Sequence, residues 1–268
     1  MSAIHPLACV DASAELGEGT KVGPFAVIGP GVRLGRDNDV RSHASICGPG
    51  VTMGDRNVVF EGAVIGAAPQ DKKYRGEPTR VEIGNDNELR EFATIHRGTV
   101  TGTGVTTLGD RNMLLVGAHV AHDCVVGNDI LLANNVMLAG HVLVEDRAIL
   151  NGGSAMHHFG VIGTLAYVGG LTRLVRDVPP YMVVEGHPAR VVKVNAVGLQ
   201  RAGVPAERVQ LLQRAFRYVF RRRHATWQHA FEALDADGVS SPEIERLRAF
   251  HVAMSGGKHG RSREAHRS

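Results

Sequence analysis

The chain has 268 residues, a formal net charge of +3, 43% hydrophobic residues, 33 glycines and only 5% aromatics. That length holds one elongated domain or two compact ones, and few aromatics with abundant glycine argue for thin layers of Val, Leu, Ile and Ala. No apolar run reaches the roughly 18 residues of a membrane helix, the N-terminus has no basic-then-apolar leader, and so mild a charge favours an acidic partner only weakly. Cys9, Cys47 and Cys124 are odd in number and far apart, as in a cytosolic protein with reduced thiols. Cys124 lies near several histidines, but a small buried filler is the ordinary role of such a residue.

From the N-terminus, an aliphatic residue recurs at every sixth position: Ile4, Val10, Leu16, Val22, Ile28, Leu34, Val40 and Ile46. Thr52 misses, and Val58 and Val64 resume the spacing. The period returns at Ile83, Leu89 and Ile95, and then runs unbroken from Leu108 to Leu174 through Leu114, Val120, Val126, Leu132 and Leu138. A small or β-branched residue often stands four places on, as at Ala26, Ala44, Ala118 and Ala166. Neither a helical period of 3.6 nor a strand period of 2 accounts for this. A hexapeptide repeat does: three short strands close one triangular coil of about 18 residues, and stacked coils make a parallel β-helix. The expected fold class is therefore mainly β, a β-helix over residues 1–190.

Two interruptions break the period, and neither separation is a multiple of six. One insertion falls near 67–80 and carries Gln70, Asp71, Lys72, Lys73 and Tyr74; the other, near 98–107, is rich in Gly and Thr. Insertions in a solenoid tend to gather on a binding face.

The repeat ends near Asp177-Val178-Pro179-Pro180. Helical spacing follows in a small C-terminal α-helical domain, expected over 191–254. Val209, Leu212, Phe216, Val219 and Phe220 form one apolar stripe, Trp227 and Phe231 begin another, and Ser241-Pro242-Glu243 opens a third helix. The Phe and Trp residues are expected in the core. Arg221-Arg222-Arg223 reads as a solvated helix face. The basic tail 255–268 is expected to be disordered.

Residues 18 apart share a face of the prism, so Val120, Leu138 and Met156 stack. His122, His141, His157 and His158 belong to these hexads, His96 to the Ile95 hexad, and His119 precedes Val120. Histidines of about four coils therefore line one side, spanning about 15 Å at the usual strand spacing. Three readings are open. Solvent-facing positions accept histidine freely. A metal needs three converging ligands, whereas His119 and His122 are three apart at a strand corner. Acid–base chemistry needs one histidine and an orienting carboxylate, which His122 and Asp123 supply if the two neighbours point together.

Several segments resemble one family, the UDP-N-acetylglucosamine 3-O-acyltransferases of lipid A synthesis. They are Gln70-Asp71-Lys72-Lys73-Tyr74, Gly76-Glu77-Pro78-Thr79-Arg80-Val81-Glu82-Ile83-Gly84, Thr94-Ile95-His96-Arg97-Gly98-Thr99, Ala118-His119-Val120-Ala121-His122-Asp123-Cys124 and Leu138-Ala139-Gly140-His141. The resemblance covers roughly residues 4 to 250. It implies a left-handed β-helix, a homotrimer in the cytoplasm, and transfer of an (R)-3-hydroxyacyl group from acyl carrier protein to UDP-N-acetylglucosamine. It implies no metal, no cofactor, no nucleic acid and no integral membrane span. By the same resemblance His122 is the general base, Asp123 its supporting acid and Gly140 an oxyanion donor through its N–H. Asp71 and Lys73 match sugar-nucleotide contacts, and His96, His119, His141 and His157 line the groove. Gly170 limits acyl length, and Asn195 and Arg201 match uridine and phosphate contacts. The chain departs from the family pattern at Val197, where a Glu is frequent, at Ala202, where an Arg is frequent, and at His158, where a Gln is frequent. The other functions compatible with the repeat are an N-acyltransferase on an amino-sugar nucleotide, a metal-dependent hydratase of the carbonic anhydrase kind, and a non-catalytic scaffold.

Overall fold

A computed structural model describes residues 3–222, 224 and 226–255. Strands of mostly two residues stack into three sheets of eleven, nine and eight strands, parallel throughout except for the last strand of the first. Successive strands go to successive sheets, so Ala3–Ile4 pairs with Lys21–Val22, Cys9–Val10 with Val27–Ile28, and Glu15–Leu16 with Arg33–Leu34. These are the three faces of a parallel β-helix, called first, second and third below. The repeating aliphatics point into the prism and stack coil on coil: Ile28, Val40, Ile46, Leu89, Leu114, Val120, Leu132, Leu138 and Leu150 are at most 1% exposed. Each leaves water almost completely, worth roughly 1.5–3 kcal/mol per side chain. A core one or two residues thick cannot seat many large rings, which is why aromatics are rare.

The expected register fails for one coil. Met53, Val59 and Ile65 point inward, at 1%, 0% and 0% exposure, and pair with Leu34, Val40 and Ile46. Thr52 is exposed, and Val58 and Val64 are only partly buried. One extra residue at the Gly48-Pro49-Gly50 corner shifts the coil. The sequence hid this because Val58-Val59 and Val64-Ile65 place apolar residues in both registers, and a one-residue slip exchanges the faces of a strand.

Two polar ladders run along the coils. The buried Asn38, Asn57, Asn87 and Asn112 sit at the same corner of four coils. The Oδ1 of Asn38 accepts from Asn57, and that of Asn57 from Asn87, at 3.1 and 2.8 Å between side chains; the Asn87 and Asn112 oxygens accept the backbone N–H groups of Asn112 and Ile130. Passing the bond from coil to coil satisfies amides that would otherwise be buried unpaired. Outside them, Arg56 pairs with Asp86 and Arg111 with Asp129, both at 2.7 Å, though pairs this exposed add little stability.

At the far end the hairpin Met182–Glu185 and Arg190–Val194 joins the first face, its two strands antiparallel. The strand Arg190–Val194 thus straddles the boundary expected at 190, and the helices begin only with α1 (Ala196–Arg201), followed by α2 (Ala206–Phe216), α3 (Trp227–Ala236) and α4 (Pro242–Ser255). A π-helical turn, Arg217–Arg221, continues α2. Ser241 caps α4 by accepting the Ile244 N–H. Leu199, Leu212, Phe216, Phe231, Leu234, Ile244 and Leu247 form the helical core, closed by Met182 and Val194 of the hairpin. Trp227 departs from expectation: it is 41% exposed, in the first turn of α3, with one ring face stacked on His251. Arg223 and the tail 256–268 lie outside the described residues.

Candidate active site

Every register break emerges at one edge of the prism, between the second and third faces. The extra residue at Gly48-Pro49-Gly50 is there. So are both insertions: residues 68–79 connect Val64–Ala67 to Arg80–Ile83, and residues 97–104 connect Thr94–His96 to Val105–Leu108. Next along this edge come Ala121 to Cys124, then Ala139 to Val142, then His157 to Gly160. The histidine-bearing corners and the irregular loops are therefore neighbours, as expected of insertions that border a binding face. Arg97 ties the loops together, donating to Pro49 O at 3.1 Å and to the Tyr74 hydroxyl at 3.2 Å.

At the centre, His122 Nδ1 lies 2.9 Å from Asp123 Oδ2. Neighbours on a straight strand point apart, but Asp123 is a corner residue with φ 58°, and the bend turns both side chains inward. Left-handed corners occupied by residues other than glycine recur all along the prism, as at Asp86, Arg111, Asp129 and Arg147, so this φ belongs to the fold rather than to a strained site.

The Asp123 carboxylate is completely buried. Thr99 donates its hydroxyl to Oδ2 at 2.6 Å and its N–H to both oxygens. Oδ1 also accepts the Thr103 and Gly104 N–H groups at 3.0 and 3.2 Å and the Thr103 hydroxyl. Burial by itself raises this carboxyl, yet the hydrogen bonds from His122 and Thr99 and the field of His141 outweigh it and hold Asp123 well below the usual carboxylate range.

Around this pair, His141 Nδ1 stands 3.7 Å from the same Oδ2, with its ring edge-on to His122 and stacked flat on Phe159 at 4.5 Å. On the same coil as His122, His119 Nδ1 lies 2.7 Å from Thr94 Oγ1 of the preceding coil, and His96, also one coil back, lies edge-on to His119. Burial, then His119 and His122, push His96 down to about 4, and burial and His122 lower His119. Gly140 faces the catalytic candidate: a Cβ there would fall 2.5 Å from His122 Cε1 and 2.7 Å from Nε2. Its N–H stands outside the backbone ladder. The Ala139 N–H bonds Met156 O and the His141 N–H bonds His122 O, while the amide between them has no partner among the described residues.

His122, Asp123 and His141 also bring three ligand-type atoms within 4.8 Å of one another. A cation there would compete with Thr99, Thr103 and Gly104 for carboxylate oxygens that already accept their bonds. The set is built to hold an imidazole against a carboxylate.

Comparison with known proteins identifies the family. A model of the family described as "Udp N-acetylglucosamine O-acyltransferase; Domain 2" matches residues 177–260. The acyl-[acyl-carrier-protein]–UDP-N-acetylglucosamine O-acyltransferase of Alkalilimnicola ehrlichii is 48% identical over 257 residues, 96% of this chain and 99% of its own length. The chain belongs to this acyltransferase family. The enzyme of the same name from Synechocystis is 44% identical over 198 residues, covering 74% of this chain and 71% of that protein. Among solved structures, the UDP-N-acetylglucosamine acyltransferase of Bacteroides fragilis superposes with a TM-score of 0.89 at 35% identity, covering 92% of this chain and 95% of that one. The Acinetobacter baumannii structure gives 0.86 at 36% identity, over 91% and 94%.

In this acyltransferase the remaining candidates divide by location. Asp71 and Lys73 sit in the first insertion, where the Asp71 carboxylate accepts the Lys73 N–H at 2.9 Å. His157 lies on the same edge, one coil beyond Gly140. Gly170 stands at the opposite edge of the second face, with space for a Cβ limited only by Gly152 O at 3.4 Å. Beside it, Leu171 is 83% exposed. Asn195 and Arg201 belong to α1, packed by the Leu165 corner on the edge between the third and first faces, so one chain does not bring them to His122. Asn195 is committed locally: its Oδ1 caps α1 by accepting the Gly198 N–H, and its Nδ2 donates to Leu165 O. The sequence reading missed Thr99, Thr103 and Gly104, which hold the Asp123 carboxylate. Their only signal was a Gly/Thr-rich break in the period.

Proposed function

We propose that this acyltransferase moves an (R)-3-hydroxyacyl group from acyl carrier protein to the 3-hydroxyl of UDP-N-acetylglucosamine, with His122 as the general base. The observation that carries this reading is the His122–Asp123 pair set against the unpaired Gly140 N–H. An ionised Asp123 can only accept a hydrogen bond, so the His122 Nδ1 donates and Nε2 is left bare as the proton acceptor. Nε2 takes the proton of the sugar hydroxyl as its oxygen attacks the thioester carbonyl. The new C–O bond forms, the carbonyl electron pair moves onto oxygen, and the Gly140 N–H receives that charge, a contact worth about 2.7–4 kcal/mol in comparable sites. The intermediate collapses, the C–S bond breaks, and the departing thiolate of the carrier regains the proton from His122. Asp123 stabilises the imidazolium meanwhile.

Asp71 and Lys73 are assigned to the sugar nucleotide, with His96, His119, His141 and His157 shaping the groove. Burial lowers both His96 and His119, which disfavours a charge on either ring, and His119 is held by the Thr94 hydroxyl. Gly170 leaves room for an acyl chain along the second face. Asn195, which also caps α1, is assigned to the uridine, and Arg201 to phosphate. Because α1 sits at another edge, these two serve the site of a neighbouring copy in a homotrimer, located in the cytoplasm.

The test offers purified protein UDP-N-acetylglucosamine, its amino-sugar analogue and a mixture of (R)-3-hydroxyacyl carrier thioesters, with products read by mass. An O-acylated sugar nucleotide is expected from the wild type and none from His122→Ala, whose thermal unfolding stays unchanged. Substantial transfer by that folded variant overturns the role of His122; product only from the amino sugar overturns the substrate.

A further inference from the structure

We infer that the second insertion, residues 97–104, is a cradle for the Asp123 carboxylate, and that Thr99 is a positioning residue that holds the His122 imidazole in its working orientation and tautomer. The inference rests on His122 being the base.

The decisive comparison is between corners. At the left-handed corner residues of neighbouring coils the N–H bonds the carbonyl one coil back: His141 to His122, Phe159 to Gly140, Asn135 to Val116, Asp129 to Asp110. Among the described left-handed corners occupied by residues other than glycine, Asp123 is the exception. Its N–H goes to the Thr106 hydroxyl at 2.8 Å, because the insertion has removed the corner that would have offered a carbonyl. In place of that acceptor the loop turns donors toward Asp123: the N–H groups of Thr99, Thr103 and Gly104 and the Thr99 hydroxyl. Backbone N–H groups converging on one concavity form an anion site. Here the anion is a side chain of the chain itself.

Gly102 shows how tight the fit is. A Cβ on it would fall 2.3 Å from the Asp123 carboxyl carbon and 2.3–2.4 Å from both oxygens. Its φ is not in the left-handed region, so what excludes a larger residue is the carboxylate, not the backbone. Thr99 is itself 3% exposed, and its hydroxyl contacts the same Oδ2 that holds His122. With Oδ2 pinned at one position, the His122 Nδ1–H has one direction in which to bond, and Nε2 is aimed past Gly140. Thr99 touches no reacting atom in this arrangement; its effect passes through Asp123 to His122.

Three variants and one spectroscopic measurement test this. Thr99→Val removes the hydroxyl at nearly constant volume, Thr99→Ser keeps it, and Gly102→Ala pushes into the carboxylate. Loss of a hydrogen bond to a charged group predicts a kcat about 10- to 100-fold lower for Thr99→Val, with KM for UDP-N-acetylglucosamine unchanged within about twofold and near-wild-type kcat in Thr99→Ser. Gly102→Ala is expected to behave like Thr99→Val. Nitrogen-15 NMR of labelled wild type at neutral pH reads the tautomer directly: protonated Nδ1 and bare Nε2 are expected for His122, with the low-field Nδ1–H signal lost or broadened in Thr99→Val. Wild-type kcat in folded Thr99→Val, or an Nε2–H tautomer in the wild type, overturns the inference while His122→Ala remains inactive. Activity in His122→Ala instead defeats the underlying role of His122. Should Thr99→Val fail to fold, the wild-type tautomer and Gly102→Ala still decide.

Discussion

His122 and Asp123 are adjacent in the chain, yet their side chains meet, Nδ1 to Oδ2 at 2.9 Å. The left-handed corner at Asp123 makes this possible, and the loop 97–104 fixes it. Asp123→Asn therefore separates charge from shape: the amide fits the same cradle, but it can present an N–H to His122 and favour the wrong tautomer. A fall in kcat on the order of 10³- to 10⁴-fold is expected, with KM for the sugar nucleotide nearly constant. Steady-state kinetics at saturating acyl donor checks it.

Gly140 packs against the imidazole more closely than any side chain would allow. In Gly140→Ala the new methyl group overlaps Cε1 and Nε2, and His122 must swing away from its bond to Asp123. Loss of more than about 100-fold in kcat is expected, with thermal unfolding within a few degrees of wild type, since the ring moves and the buried ladder does not. Differential scanning calorimetry beside kinetics separates the two effects.

Cys124 sits within two residues of His122 but is not poised to react. It is fully buried, its Sγ donates to Ala139 O at 3.2 Å, and burial, then the charge of Asp123, push its thiol up to about 12. A water-soluble aromatic disulfide at neutral pH is expected to label the exposed Cys9 and to leave Cys124 untouched until denaturant is added. Rapid labelling of Cys124 in the native protein would reopen a nucleophilic role.

Two buried histidines link stability to pH. His96, 7% exposed, and His251, 4% exposed, are both pushed down to about 4, in each case chiefly by burial. The unfolded chain takes up these protons near pH 6.5 while the folded chain refuses them until about pH 4. Stability is thus unaffected by either group above pH 6.5 and falls as pH drops from 6.5 to 4, by on the order of 3 kcal/mol for each. Urea unfolding at pH 7 and pH 4.5 should show a smaller loss in His96→Asn and in His251→Asn than in the wild type. An equal loss in wild type and His96→Asn would remove the basis for a neutral His96.

Much was legible in advance because the hexapeptide period is a matter of local spacing. Val120, Leu138 and Met156, 18 apart, had to stack, and with them His122, Gly140 and His158 had to share an edge. The same reading failed at Val58 and Val64, where consecutive apolar residues serve two registers equally well and only pairing with Val40 and Ile46 selects one. It failed again at Trp227, whose place in the first turn of α3 decides its exposure.

The sequence by itself determined the prism, its three faces, the two places where chain leaves it, and the set of histidines brought to one side, all of which follow from side-chain periodicity along the backbone. Only the tertiary structure decided that the extra corner residue and both insertions emerge at the His122 edge, that Asn195 caps α1, and that the Gly/Thr loop folds its N–H groups onto Asp123. Those outcomes depend on hydrogen bonds between coils, made by groups far apart in the chain, and no repeat length records them.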